Sequence, residues 1–220
     1  MSRSSYLFSG IFGAFAVSAL AMVLAPQWQL GALRSQVDED TSTIYPVENP
    51  RKGKSVYISE GCVYCHSQAV RDPQNGIDIE RGWGTRRTVG LDYLFEEEPL
   101  IGFHRLGPDL ANVGSKDWRN EAVGDKRKPS RRDAAWHLLH LYQPSAAVAD
   151  STMPPYRYLF KRSKVTGARS LDALSVDAGD GFQIVPTERA RDLVAYLMSL
   201  DRTVPLKPVE PGAAVSSAQK

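Results

Sequence analysis

Five consecutive residues, Cys62-Val63-Tyr64-Cys65-His66, set two thiols and an imidazole at a spacing that suits a porphyrin. Thiols three apart can add to the two vinyl groups of one haem, and the histidine that follows then lies beneath the iron. The motif predicts one covalently bound haem c, with Cys62 and Cys65 as thioether sites and His66 as an iron ligand. The same residues also fit a thiol–disulfide pair. No other cysteine is present, which excludes a disulfide scaffold and a four-cysteine zinc site.

A second axial ligand has to come from elsewhere in the chain. Of the four methionines, Met1 starts the sequence, Met22 lies in an apolar run and Met198 in the last predicted helix. Met153 stands in Ser151-Thr152-Met153-Pro154-Pro155-Tyr156, where the prolines stiffen a loop able to aim a thioether at iron. His/Met ligation favours reduced iron and raises its potential, as an electron carrier requires. His137 and His140 are the rivals, three apart on one helical face and able to make a bis-histidine site or hold a separate metal. We expect them instead to pack with their nitrogens hydrogen-bonded, and His104 not to be a ligand.

Helices must position these groups. Residues 53–60 run into Gly61-Cys62, residues 134–142 (AAWHLLHLY) are amphipathic and stop before Pro144, and residues 187–200 carry Ala190, Leu193, Val194, Leu197 and Leu200 at helical spacing. Between them lie irregular stretches, 71–105, 115–133 and 161–186, rich in Gly, Pro and charge. So much irregular chain implies a large central body to pack against, and a haem would serve. Lys and Arg number 27 against 25 Asp and Glu, a net charge of +2, which excludes a strongly basic nucleic-acid binder. The run 116–132 holds seven basic and three acidic residues and reads as a solvated face, with docking to an acidic partner as the alternative.

The N-terminus adds a membrane signal. Thirty uncharged residues separate Arg3 from Arg34, with an apolar centre from Leu7 to Ala25 and Pro26 and Trp28 where an interface would begin. A retained transmembrane helix is expected rather than a cleaved signal peptide. Arg3 on one flank, against Asp38, Glu39 and Asp40 on the other, puts the N-terminus in the cytoplasm and the rest outside. The resulting division is an anchor over 1–33, a linker over 34–50, a haem domain over 51–203 and a flexible tail over 204–220.

Taken together, GCVYCHSQAVR (61–71), RGWGTRRTVGLDYLF (81–95), GPDLANVG (107–114), WHLLHLYQP (136–144) and MPPYRYLF (153–160) resemble the membrane-anchored mono-haem subunit of cbb3-type cytochrome c oxidases, the FixO or CcoO family. The resemblance spans roughly residues 5–200 and includes the final LVAYLMSL helix. It implies a mainly α fold: a class I cytochrome c-like domain with long loop insertions, preceded by one transmembrane helix. Cys62 and Cys65 would form the thioethers, with His66 and Met153 the axial ligands. The Pro108 carbonyl would accept the other ring N–H of His66, and Arg71, Trp83 and Arg105 would be candidates for the haem propionates. Val56, Tyr57, Tyr196 and Leu197 would make the crossing of first and last helices.

What this implies is electron relay by a non-catalytic subunit. A cytochrome c donor, or another cytochrome c subunit, would reduce the haem. The electron would pass to a membrane-embedded catalytic subunit carrying b-type haem and copper, and the haem domain would face the periplasm from a bacterial inner membrane. Alternatives are a tethered cytochrome c serving another respiratory complex, such as a nitric oxide reductase, a haem-based sensor or catalyst with an open iron site, and the thiol–disulfide protein.

Overall fold

The structure, a computed structural model, describes residues 3–34, 50–93, 96, 98–116, 118, 119 and 132–203. The expected linker interior and C-terminal tail, and most of the basic run 116–132, lie outside the described residues. By their contacts the described residues form two units, one of 3–34, 90–93 and 96, the other of 50–89, 98–116, 118, 119 and 132–203.

The first unit is dominated by α1, Arg3–Ala19, which passes through a π-helical turn, Leu20–Leu24, into α2, Ala25–Arg34. Residues Arg3–Gln29 are long and apolar enough to cross a membrane, and none of the window is buried by the rest of the chain. In the wide turn the Ala25 N–H donates to the Leu20 carbonyl, five residues back. Pro26 follows at once; a proline ring clashes with the carbonyl four residues before it, here that of Met22, and a widened turn gives that ring room.

The second unit is helix-rich with one small sheet. α3 (Pro50–Ser59), α4 (Ala134–Tyr142), the single-turn α5 (Pro144–Ala147) and α6 (Glu188–Ser199) surround a core in which Tyr57, Leu193 and Leu200 are fully buried. Helix ends follow local chemistry. The Asp133 carboxylate accepts the Trp136 N–H and the Thr187 hydroxyl accepts the Ala190 N–H, and each caps its helix. Pro144 cannot continue α4 and instead opens α5. The five apolar positions expected on one face of the last helix are all buried.

α3 and α6 cross at Gly53. A Cβ there would sit 2.0 Å from the Asp192 carbonyl oxygen and 2.5 Å from the Tyr196 Cβ, so only glycine permits the approach. The rings of Tyr57 and Tyr196 meet with centroids 5.6 Å apart. Tyr196 and Gln68, both buried, hydrogen-bond each other at 3.1 Å, which fastens the helix crossing to the segment after His66.

The stretch 161–186 departs from the irregular chain expected of it. Phe160–Lys164 (β1) pairs antiparallel with Phe182–Pro186 (β2), Phe160 opposite Pro186 and Lys164 opposite Phe182. Phe160, Gln183 and Ile184 are buried while the basic side chains of β1 face solvent. Half-buried hairpins of this kind need little apolar sequence.

Candidate functional site

Two residues beyond the end of α3 stands Gly61, whose φ of 74° is left-handed and suits glycine. The chain then makes a single 3-10 turn, Cys62–Tyr64. Within it the N–H groups of Cys65 and His66 both donate to the Cys62 carbonyl, at 3.1 and 3.0 Å. That turn sets both thiols and the imidazole on one short, rigid piece of backbone. Both cysteines are free, Cys62 buried and Cys65 half-buried. Burial, helped by the nearby Glu60 charge, pushes the Cys62 thiol up to about 12. Redox-active Cys-x-x-Cys pairs sit in the opposite environment, one that favours thiolate.

His66 Nδ1 lies 2.8 Å from the Pro108 carbonyl oxygen. A carbonyl can only accept, so Nδ1 carries the proton and the Nε2 lone pair is left for a metal. Burial lowers the pKa of the ring, against the opposing pull of Pro108 and Asp109, and holds it in the neutral form that ligates. Gly107 makes the arrangement possible, because a Cβ there would stand 2.2 Å from His66 Cε1 and 2.7 Å from Nδ1. Two backbone bonds lace the segments together: Gly107 N–H to the Cys65 carbonyl at 2.9 Å and Leu110 N–H to the Ser67 carbonyl at 2.8 Å.

Asp109, next to Pro108, is a contributor that the sequence did not single out. It is fully buried. Its Oδ2 accepts from the Ser67 hydroxyl at 2.6 Å and the Ala69 N–H at 2.7 Å, while Oδ1 accepts from the Ala111 N–H at 2.9 Å. Burial raises its pKa, and those three bonds and Arg105 oppose the rise. The carboxylate therefore ties the residues after His66 to the residues after Pro108. Asn112 extends the tie, donating to the Trp83 carbonyl at 2.9 Å and accepting from the Arg202 N–H at 2.7 Å.

Arg71, Trp83 and Arg105 come together around Asp78, a second fully buried carboxylate. Arg71 Nη2 donates to Asp78 Oδ1 at 2.7 Å, and Arg105 Nη1 to Oδ2 at 2.5 Å. The Trp83 backbone N–H donates to the Asp78 backbone carbonyl, and the Arg81 guanidinium lies 5.0 Å over the Trp83 ring. Burial alone would raise the Asp78 pKa, yet the bonds from Arg71 and Arg105 hold it below the ordinary value. Asp78 had no sequence signal, being an acidic residue in a polar loop.

Met153 is half-buried and packs against the main core, its N–H 3.3 Å from the Ser151 hydroxyl. Three residues on, the Tyr156 N–H donates to the Leu141 carbonyl at 2.8 Å, which pins this loop to α4. On α4, His137 Nε2 and His140 Nδ1 are buried without a hydrogen-bond partner, contrary to the expectation that these histidines would be satisfied by protein groups.

The donor set fits a haem: two thiols on one turn, a neutral imidazole oriented by a carbonyl, a thioether on a braced loop, and two orphaned buried imidazole nitrogens. The residues holding it would be Cys62, Cys65, His66 and Met153. No curated protein matches the sequence. The model of the family described as "Cytochrome C oxidase, mono-heme subunit/FixO" matches residues 3–177, which takes in the N-terminal helix and the segments of Cys62–His66, Asp78, Pro108–Asp109, α4 and Met153, and stops before α6. On that match, across most of its length, the chain belongs to the FixO family of cytochrome c oxidase mono-heme subunits.

Proposed function

We propose that this protein is an electron-transfer subunit with one covalent haem c, relaying electrons from a cytochrome c donor or a sister cytochrome c subunit to the b-type haem and copper of a membrane-embedded cbb3-type catalytic subunit. In this reading residues 51–203 form a class I cytochrome c-like domain, and the N-terminal helix anchors it to the periplasmic side of a bacterial inner membrane with its N-terminus in the cytoplasm. Residues 34–50 act as the linker and 204–220 as a tail. The subunit is non-catalytic by itself.

The haem iron, when bound, supplies a one-electron ferric–ferrous couple. Everything else belongs to the chain. Cys62 and Cys65 would hold the macrocycle, and His66 Nε2 and the Met153 thioether would ligate the iron in place of oxygen. Pro108 fixes the tautomer and orientation of His66, Gly107 lets the ring approach, and Asp109 keeps that whole segment in place. Rigid ligands keep the reorganisation between oxidation states small. Arg71, Trp83 and Arg105 would serve the propionates from the Asp78 cluster.

The observation that carries this reading is the His66–Pro108 contact with Gly107 against the ring: it selects the tautomer a metal needs, directly after paired cysteines. The test is the optical spectrum of the matured protein, near-infrared included. A c-type spectrum with the sulfur-to-iron charge-transfer band, lost in Met153→Ala while haem stays attached, supports it. A c-type spectrum without that band in the wild-type protein refutes Met153 as the ligand.

A further inference from the structure

Residues 99–108 form a loop laid across the cysteine turn. The Gln68 N–H donates to the Ile101 carbonyl at 2.9 Å, the Phe103 N–H to the Val63 carbonyl at 3.4 Å and the Gly107 N–H to the Cys65 carbonyl at 2.9 Å. Gly102, with a φ of 94°, approaches so closely that a Cβ there would sit 2.6 Å from the Ser67 Cα. Val63 and Leu100 turn inward and pack against the core. Tyr64, Ile101, Phe103 and Leu106 turn outward and stay 55–78% exposed. The rings of Tyr64 and Phe103 stack with centroids 5.7 Å apart, so the turn and the loop share one surface. Side chains three apart in a 3-10 turn lie on one face, which sets Cys62 and Cys65 together and points Tyr64 elsewhere. Tyr64, with Phe103 stacked on it, therefore stands off the side that the thiols serve.

Area and charge together say what covers this patch. Aromatic side chains carry about 150–250 Å² each and Ile and Leu somewhat less, so the four leave about 400–600 Å² of apolar surface open, the upper range for a soluble protein standing alone. A stable interface takes about 800 Å² from each partner, as an apolar core within a polar rim. The patch has the size of such a core. Between Pro99 and Pro108, with His104 counted neutral, the one formally charged residue is Arg105. Its guanidinium is turned inward, donating to the Asp78 carboxylate and to the Ala69 carbonyl, each at 2.5 Å. An uncharged face gives a diffusing redox partner nothing to be steered by. It matches instead the apolar contact surface of a partner that stays bound. The family match points to one of that kind, an oxidase in which this chain is a subunit.

We propose that Tyr64, Ile101, Phe103 and Leu106 are the face on which the catalytic subunit of the oxidase rests permanently, with an apolar surface of that subunit covering the loop beside Cys65. The placement serves the relay. Phe103 and Gly107 are bonded through their backbones to Val63 and Cys65, so a subunit resting on this loop comes up against the cysteine turn itself. Electron transfer falls off steeply with distance, and this contact keeps the distance short. The backbone bonds hold the loop in shape beforehand, so docking has little left to order.

The inference rests on the relay reading above, and its test keeps the two apart. A photoreactive benzoylphenylalanine replaces Phe103 or, separately, Leu106 in the full chain, produced together with the catalytic subunit in its own membrane. Leu171, exposed in a different loop, carries the control probe. Peptide mass spectrometry after irradiation should find both probes joined to an extramembrane segment of the catalytic subunit, and the control probe not joined to it. Adducts with a soluble cytochrome c or with a second copy of this chain, or no adduct, overturn the proposal. Phe103→Glu puts a charge into the proposed contact and should weaken the detergent-solubilised complex about thirtyfold, equal to about 2 kcal/mol, the loss of one hot-spot residue. Phe103→Leu should keep most of the affinity. A glutamate variant that dissociates no faster than wild type overturns the proposal, and so does one whose isolated c-type spectrum changes, since the ring would then belong to the haem pocket. A wild-type chain that holds no covalent haem but still gives the catalytic-subunit adduct would sink the relay and leave the docking face standing.

Discussion

Asp109 offers the sharpest test of how His66 is held. Asp109→Ala leaves two backbone donors, the half-buried Ala69 N–H and the buried Ala111 N–H, with no acceptor; the Ser67 hydroxyl can rotate to another partner. At about 1–3 kcal/mol each, those two donors cost about 2–6 kcal/mol. Against this, removing the carboxylate returns the desolvation penalty that raises its pKa, so a net loss of about 2–4 kcal/mol is expected. For a chain of this size that is about 5–15 °C in Tm. Asp109→Asn keeps one acceptor oxygen, enough for Ser67 and Ala69 but not also for Ala111, and should lose at least half as much. Unfolding is followed in urea or by heating, with haem absorbance and far-UV dichroism recorded together. Because Ser67 and Ala69 follow His66 directly, the alanine variant should also loosen the Pro108 contact and lower the haem potential. An alanine variant within about 0.5 kcal/mol of wild type, the range of ordinary surface changes, would refute the reasoning, as would an asparagine variant less stable than alanine.

Gly107→Ala should drive a methyl group into the His66 ring, so the protein retains covalent haem but shows a weakened or displaced proximal ligand by electron paramagnetic resonance; an unaltered spectrum contradicts the geometry. Asp78→Ala leaves Arg71 and Arg105 with no shared carboxylate and should cost about 1–3 kcal/mol in a denaturant titration, less than breaking a fully buried pair because both guanidinium groups reach solvent; a loss below about 0.5 kcal/mol would mean that the cluster is dispensable. Acid should destabilise the fold through α4. Burial lowers His137 to about 3 and His140 to about 4, against 6.5 unfolded, so below pH 6.5 the unfolded chain binds more protons and stability falls towards pH 4. The slope should approach about 1.4 kcal/mol per pH unit for each histidine, and the double variant His137→Leu with His140→Leu should flatten it; urea midpoints at pH 7 and pH 5 give the answer.

Much of this was legible in the chain because it is local. Cys62 to His66 is contiguous, the helix over Ala134–Tyr142 announces itself by periodicity and by Pro144, and Ala190, Leu193, Val194 and Leu197 of α6, with Leu200 at its end, follow a 3.6-residue repeat. What was hidden depends on partners far apart in sequence. Asp78 and Asp109 look like ordinary acidic loop residues until Arg71 and Arg105 converge on one and Ser67 and Ala69 on the other. The hairpin was missed because Lys161-Arg162-Ser163-Lys164 shows no apolar alternation; its pairing with Phe182–Pro186 defines it. The unmet nitrogens of His137 and His140 could not be read from spacing at all, since spacing fixes the face of a helix but not what stands opposite.

The central claim is that this haem passes electrons on and does not itself react with oxygen. The direct measurement is the reaction of the reduced, isolated protein with carbon monoxide and oxygen, compared with the same haem in its membrane complex. Two axial ligands on a braced frame predict no carbon monoxide adduct and slow reoxidation alone, with fast reoxidation in the complex. Prompt carbon monoxide binding and equally fast reoxidation by the isolated protein would show an open iron and contradict the relay.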